Sequence, residues 1–201
     1  KDGMRFTRFC AGNAVCPPSR CALMTGRHMG HAAVRDNREA QPEGQFPLPA
    51  TEITIATLLR QRGYVCAAFG KWGLGMFGTS GDPLRHGFDR FYGYNCQRHA
   101  HSHYPPYLYR DAERFALPGN NGATGDSYTG DLFEREALAF IGANRERPFF
   151  LYLPLVVPHV AVQCRPTRSP STRGSSATTR RTTARRATAR TRPRGRPTPR
   201  W

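Results

Sequence analysis

Cys16 opens the stretch Cys16-Pro17-Pro18-Ser19-Arg20-Cys21-Ala22-Leu23-Met24-Thr25-Gly26, which gathers more reactive chemistry than any other part of this chain. Pro17 and Pro18 suit a first helical turn, where their missing amide hydrogens have no helical partner to lose, and Gly26 suits the helix end. Cys16 is thereby expected at a helix N-terminus, where free amides and the helix dipole favour anions by about 0.3 to 1 kcal/mol. Arg20, one turn on, offers a forked donor to an oxyanion. The residues alone give an anion site holding a cysteine. A structural cysteine in a proline-rich turn and a Cys16 to Cys21 disulfide stand as the plain alternatives.

A second reactive side chain follows a predicted strand in Gly63-Tyr64-Val65-Cys66-Ala67-Ala68-Phe69-Gly70-Lys71-Trp72-Gly73-Leu74-Gly75. There a glycine-rich turn brings the Lys71 ammonium close to a ligand, at the strand end where α/β proteins place their sites. Pro158-His159 closes a second apolar run in the same way, where a lone histidine is as often a plain loop residue. Three further imidazoles cluster in His99-Ala100-His101-Ser102-His103, where they could supply a general acid or base, line a substrate pocket or face solvent. Arg27, His28, His31, Arg35 and Arg38 follow the first motif and are expected to crowd one side of the site, for recognition or for structural ion pairs.

The Cys-x-Pro-Ser-Arg spacing, with the hydrophobic pair and Thr-Gly after it, resembles the signature of the type I sulfatases. The Gly-Tyr strand ending in Gly-Lys-Trp resembles their second signature. The likeness covers residues 1 to 163, about the first third of a family member, and implies an alkaline-phosphatase-like α/β fold, here a partial domain with a mostly parallel sheet flanked by helices. It implies that a maturation enzyme oxidises Cys16 to formylglycine, whose hydrated aldehyde attacks sulfur and whose second hydroxyl permits release of sulfate by elimination. By the resemblance Lys71 would contact the formylglycine hydroxyl or a sulfate oxygen as a fixed positive charge, and His159 would touch the sulfate or protonate the leaving oxygen; Arg20 stands beside them as the catalytic candidate from the helix. His99, His101 and Arg38 are the candidate substrate contacts.

The implied substrate is a sulfate-ester small molecule or a sulfated glycan of unspecified parent alcohol. For a full-length member a periplasmic or extracellular location is expected. Family members also bind Ca2+ through two adjacent acids, an Asp-Asn pair and the formylglycine. Here only Cys16 of that shell is identifiable, so the chain as written is expected to bind calcium poorly and to hydrolyse little. Two departures stand out: Pro17 at a variable position, and Gly73 where many members carry a histidine that handles the formylglycine proton. A phosphatase or phosphodiesterase of the same superfamily is the rival enzyme, although it would not need the Pro-Ser-Arg maturation signal.

The elements that must position these residues show in the apolar pattern. A helix is expected over Thr54 to Arg62, with Ile55, Leu58 and Leu59 on its buried face and Gly63 capping it. A strand over Tyr64 to Phe69 follows. A second helix over Asp131 to Asn144 presents Phe133, Ala137, Phe140 and Ile141. Phe149 to Val157 reads as a strand buried on both faces, and residues 73 to 128 read as long loops. Helix and strand in alternation predict a parallel sheet with crossover helices.

The chain of 201 residues is long enough for one domain. Its formal charge of +16 would suggest a nucleic-acid binder, but residues 164 to 201 hold 12 of the 30 Lys and Arg and none of the 14 Asp and Glu, leaving the body at +4. That tail uses eight residue types with no Leu, Ile, Val or Phe, so it is expected to be disordered. An out-of-frame reading of a GC-rich gene accounts for its composition. A genuine basic tail binding polyanions by charge is the reading from a different functional class. No run of 18 apolar residues reads as a membrane-spanning helix, and the first residues lack the apolar core of a signal peptide. The six cysteines are too irregular for a disulfide framework.

Overall fold

The computed structural model describes residues 3–41, 44–159 and 161–164. The first helix, α1 (Cys16–Thr25), begins with prolines in its first turn and ends at Gly26, whose φ of 67° closes the helix with an amide bond to the Ala22 carbonyl. A two-residue hairpin, β1 (Glu39–Ala40) and β2 (Gly44–Gln45), and the short helix α2 (Ile55–Arg60) lead to β3 (Val65–Lys71). The strand β4 (Arg90–Tyr94) pairs parallel with β3, and β5 (Tyr107–Arg110) and β6 (Glu113–Ala116) add antiparallel. The long helix α3 (Thr129–Asn144) then crosses the sheet and delivers β7 (Phe149–Tyr152) to the far side of β3, again parallel.

The sheet order is β6-β5-β4-β3-β7. Because β6 is antiparallel to an antiparallel strand, four of the five strands run the same way. The expected α/β architecture with a mostly parallel sheet is therefore present.

Side chains of β3 alternate between two cores, as the period of two in a strand requires. Cys66 and Ala68 face one core with Cys21 and Met24 of α1, Ala56 of α2, Trp72 and Phe88. Ala67 and Phe69 face the other with Tyr92, Tyr94 and Leu132, Phe133, Ala137 and Phe140 of α3. Burying a ring such as Phe133 (1 % exposed) stabilises by about 1.5 to 3 kcal/mol. Truncating it to Ala would cost about 3 to 5 kcal/mol, since a void would remain between α3 and the sheet.

Several expectations are corrected. Residues 73 to 128 are not long loops: they supply β4, β5, β6 and two 3-10 turns, Pro83–His86 and His99–His101. On α2 the buried residue is Ala56, with Leu59 packed beside it against the core and Ile55 and Leu58 exposed, and the Gly87 backbone lies so close to this helix that a Cβ at position 87 would sit 2.4 Å from the Thr57 nitrogen. Ile141 of α3 is also exposed. The last strand stops at Tyr152 and is half-buried, because among the described residues it is the sheet edge and Pro154 has no amide hydrogen for the ladder. Residues 165–201, and with them nearly all of the tail expected to be disordered, lie outside the described residues. Gln163 does reach the body, donating from its side chain to the carbonyls of Gly122 and Ala123 at 3.1 and 2.9 Å.

Candidate active site

The first residue of α1 and the last residue of β3 meet. Lys71 Nζ donates to Cys16 Sγ at 3.5 Å, and Lys71 is 1 % exposed. Its position is fixed from the next residue, since the buried Trp72 packs edge-on to Phe88 and donates its indole N–H to the Gly81 carbonyl at 2.7 Å. Burial pushes the Lys71 ammonium below its ordinary 10.5; Cys16 opposes that shift and the Arg20 charge adds to it. A partly desolvated cation stripped of water interacts strongly with any anion brought to it.

Arg20 completes a basic corner. One arm, Nη1, donates to the Lys71 carbonyl and to the Tyr152 hydroxyl, the latter at 3.3 Å, so β3 and β7 together hold the guanidinium. Its Nε is buried and has no protein partner. Tyr152 was not singled out in the sequence; burial raises its phenol pKa, with Arg20 acting in the opposite sense. It stays a neutral oxygen against the guanidinium.

The histidines divide. The rings of His101 and His159 stack at 4.9 Å and 20°, and the His101 pKa is lowered first by burial, then by His159 and by Lys71. The structure thus brings His101 and His159 to the Lys71 side of the fold. His103 is buried, stacks on Tyr128 at 5.6 Å, and is likewise lowered by burial and by His159. His99 sits elsewhere: its ring lies 4.4 Å from that of Tyr107 and Nε2 is 2.9 Å from the Tyr107 carbonyl, a wall position.

The basic run after α1 serves local structure. Arg27 pairs with Glu52 at 2.9 Å, Arg35 donates to the carbonyls of Ala32 and Gly30, and Arg38 pairs with Asp36 and lies 5.0 Å over the Phe46 ring. All six cysteines are free thiols, so the Cys16 to Cys21 disulfide is not formed.

Two residues past Lys71, the Gly73 amide bonds to the Asn95 carbonyl at 3.0 Å and continues the alignment of β3 with β4. Its φ is 75°, and a Cβ built there would lie 2.0 Å from Gln97 Nε2. Gln97 therefore occupies the space that a side chain at position 73 would need. No sequence signal pointed to Gln97, because its role depends on what the neighbouring strand leaves out.

The Sulfatase family model matches residues 1–192. The chain belongs to the sulfatase family. It is 34 % identical over 181 residues to an arylsulfatase of Hemicentrotus pulcherrimus, covering 80 % of this chain and 32 % of that protein. It is also 34 % identical over 199 residues to the N-acetylgalactosamine-6-sulfatase of Canis lupus familiaris, covering 86 % and 36 %. Among solved structures, Ps i-CgsB in complex with k-i-k-neocarrahexaose superposes with a TM-score of 0.61 at 25 % identity, covering 77 % of this chain and 37 % of that one. The chain thus spans about a third of the length of the curated relatives it matches.

Sulfatases as a family imply formylglycine and Ca2+. The Cys16 position fits the first, since its sulfur lies at a helix start within reach of Lys71. It does not fit the second: among the described residues no three or more His, Cys, Asp or Glu side chains converge, and a hard cation needs such oxygen ligands.

Proposed function

We propose that this chain carries the nucleophile and anion-binding part of a sulfuric ester hydrolase, with Cys16 converted to formylglycine. The contact between Lys71 Nζ and Cys16 Sγ at the N-terminus of α1 carries that reading. A buried ammonium and the first turn of a helix meet at one cysteine, with a guanidinium bonded to the same lysine's carbonyl, and such a set is complementary to a tetrahedral oxyanion such as sulfate. When present, the hydrated aldehyde supplies an oxygen nucleophile and a second hydroxyl through which sulfate can leave.

The chain's own residues do the rest. Lys71 and Arg20 hold sulfate oxygens and offset the charge that builds on them. Arg20 is oriented by the Lys71 carbonyl and by Tyr152, which leaves its Nε for the ligand. His159, at the end of the segment that follows β7, donates a proton to the leaving alkoxide, and His101 stacked on it keeps the ring in place. A sulfated sugar is the substrate class we favour, since one relative at 34 % identity is named for a sulfated hexosamine.

The test is to express the 201-residue chain beside a formylglycine-generating enzyme and to analyse the Cys16 peptide by mass spectrometry and hydrazide labelling. An aldehyde at position 16 that Cys16→Ala removes, with at most slow release of sulfate from N-acetylgalactosamine 6-sulfate, is the expected result. A bare thiol at that position overturns the reading.

A further inference from the structure

Gln97 is a buried amide with nothing to bond. It is 7 % exposed, yet neither Nε2 nor Oε1 of its side chain has a hydrogen-bond partner in the protein. Leaving such a group unpaired costs about 1 to 3 kcal/mol, and native structures rarely tolerate it without a ligand or water to answer it. Its backbone, by contrast, is held firmly. The Gln97 amide donates to Gln45 Oε1 at 3.2 Å, and Gln45, itself buried, donates from Nε2 to the Arg38 carbonyl at 2.7 Å. The side chain is thus unpaired while its main chain is pinned.

A second observation says where that amide is aimed. The Cβ position of Gly73 lies 2.0 Å from Gln97 Nε2 and 3.7 Å from Arg20 Cδ, so the carboxamide and the Arg20 side chain flank the same small volume. Gly73 is two residues past Lys71, and Gln97 three residues past Tyr94, the Cα partner of Lys71 in the β3–β4 register. Both loops leave the sheet at the C-terminal ends of neighbouring parallel strands, where ligands of such sheets bind. Gly73 has left the room, and Gln97 from the adjacent strand fills it.

We propose that Gln97 is a sulfate-contacting residue, its Nε2 donating to an oxygen of the bound sulfate beside Arg20 and Lys71. This rests on the sulfate-site reading above and deepens it. A carboxamide donates a hydrogen bond but carries no charge and does not titrate, so Gln97 contributes binding and orientation and leaves proton transfer to the imidazoles.

The test measures binding of inorganic sulfate to the full chain with unconverted Cys16, by calorimetry, in wild type and in Gln97→Leu, Gln97→Glu and Lys71→Met, with circular dichroism and melting as checks on folding. Gln97→Leu, similar in volume, is expected to weaken sulfate about tenfold, the worth of one hydrogen bond to a charged group. Gln97→Glu, which sets a carboxylate against the anion, is expected to weaken it further. If Lys71→Met loses sulfate while both folded Gln97 variants keep wild-type affinity, the Gln97 assignment is overturned and the site reading stands. If wild type itself shows no sulfate binding, the site reading falls and takes the Gln97 assignment with it. Should Gln97→Leu fail to fold, Gln97→Glu, which preserves shape, decides alone.

Discussion

Lys71 Nζ and Cys16 Sγ are 3.5 Å apart although 55 residues separate them in the chain. The contact joins the start of α1 to the end of β3, and it brings a desolvated ammonium to the cysteine at the helix start. Everything chemical in the molecule follows from that meeting. Arg20 reaches it because it lies one turn along the same helix, and Tyr152 because β7 is the parallel neighbour of β3.

Lys71→Met separates the cost of that ammonium from its use. Burying a cation costs stability unless its partners repay it, and Met keeps the length of the side chain without the charge. The variant is expected to melt no lower than wild type, while affinity for inorganic sulfate falls about 10-fold to 100-fold, the worth of a hydrogen bond to a charged group. A clearly lowered melting temperature would mean that the Lys71 to Cys16 contact stabilises the fold, against the reading of an ammonium held for a ligand.

Tyr152→Phe tests how Arg20 is aimed. The substitution removes one acceptor of Nη1 and keeps the ring that stacks on Phe88. Loss of a hydrogen bond to a charged group costs about 1.5 to 3 kcal/mol at most, and the Lys71 carbonyl remains as partner. Stability should drop by about 1 kcal/mol and affinity for inorganic sulfate by several-fold. Unchanged sulfate affinity would show that Tyr152 does not orient the guanidinium.

The sequence made some of this legible and hid the rest for physical reasons. The ends of α1 were readable because proline at a first turn and glycine at a helix end act locally, through missing donors and a left-handed φ. Lys71 was readable because a strand running into a glycine turn is also local. The strand β4 was not, since Arg90-Phe91-Tyr92-Gly93-Tyr94 sends Phe91 to one core and Tyr92 to the other, so no alternation of polar and apolar residues marks it. The buried face of α2 was misread in part because six residues are too few to fix a helical face: Leu59 packs on the core, while Ile55 and Leu58 are exposed. Gln97 was invisible because its surroundings are made by an absent side chain on another strand.

Gly93→Ala should be among the most damaging single changes in the sheet. Gly93 is the Cα partner of Gly70 in the parallel β3–β4 pair, and a Cβ at 93 would lie 1.9 Å from the Gly70 carbonyl oxygen, with φ at 155°. Neither strand can give way, because Gly70 is itself pressed against the Pro154 carbonyl, 2.4 Å from its own Cβ position. A loss of more than about 3 kcal/mol in denaturant unfolding is expected, in the range of strained backbone and overpacked cores. A loss under about 1 kcal/mol would show that the two strands can part without cost.

His103 makes the fold sensitive to acid. Its ring is 2 % exposed and stacked on Tyr128, and burial, followed by the neighbouring His159, holds its pKa below the ordinary 6.5, while a hydrogen bond to the His159 backbone pulls the other way. His101 is lowered in the same direction. For a base whose folded pKa is depressed, the unfolded chain takes up the proton first as pH falls. Above 6.5 neither state is charged at this ring and nothing is lost. Below it the unfolded state gains protons that the folded state refuses, so stability declines as pH falls from 6.5 through the lowered folded value. His103→Phe keeps the stacking on Tyr128 and cannot titrate. Urea unfolding between about pH 5 and about pH 8 should show a shallower acid-side decline for His103→Phe than for wild type, and shallower still once His101→Asn is added. Parallel curves for all three proteins would place the acid sensitivity in other groups.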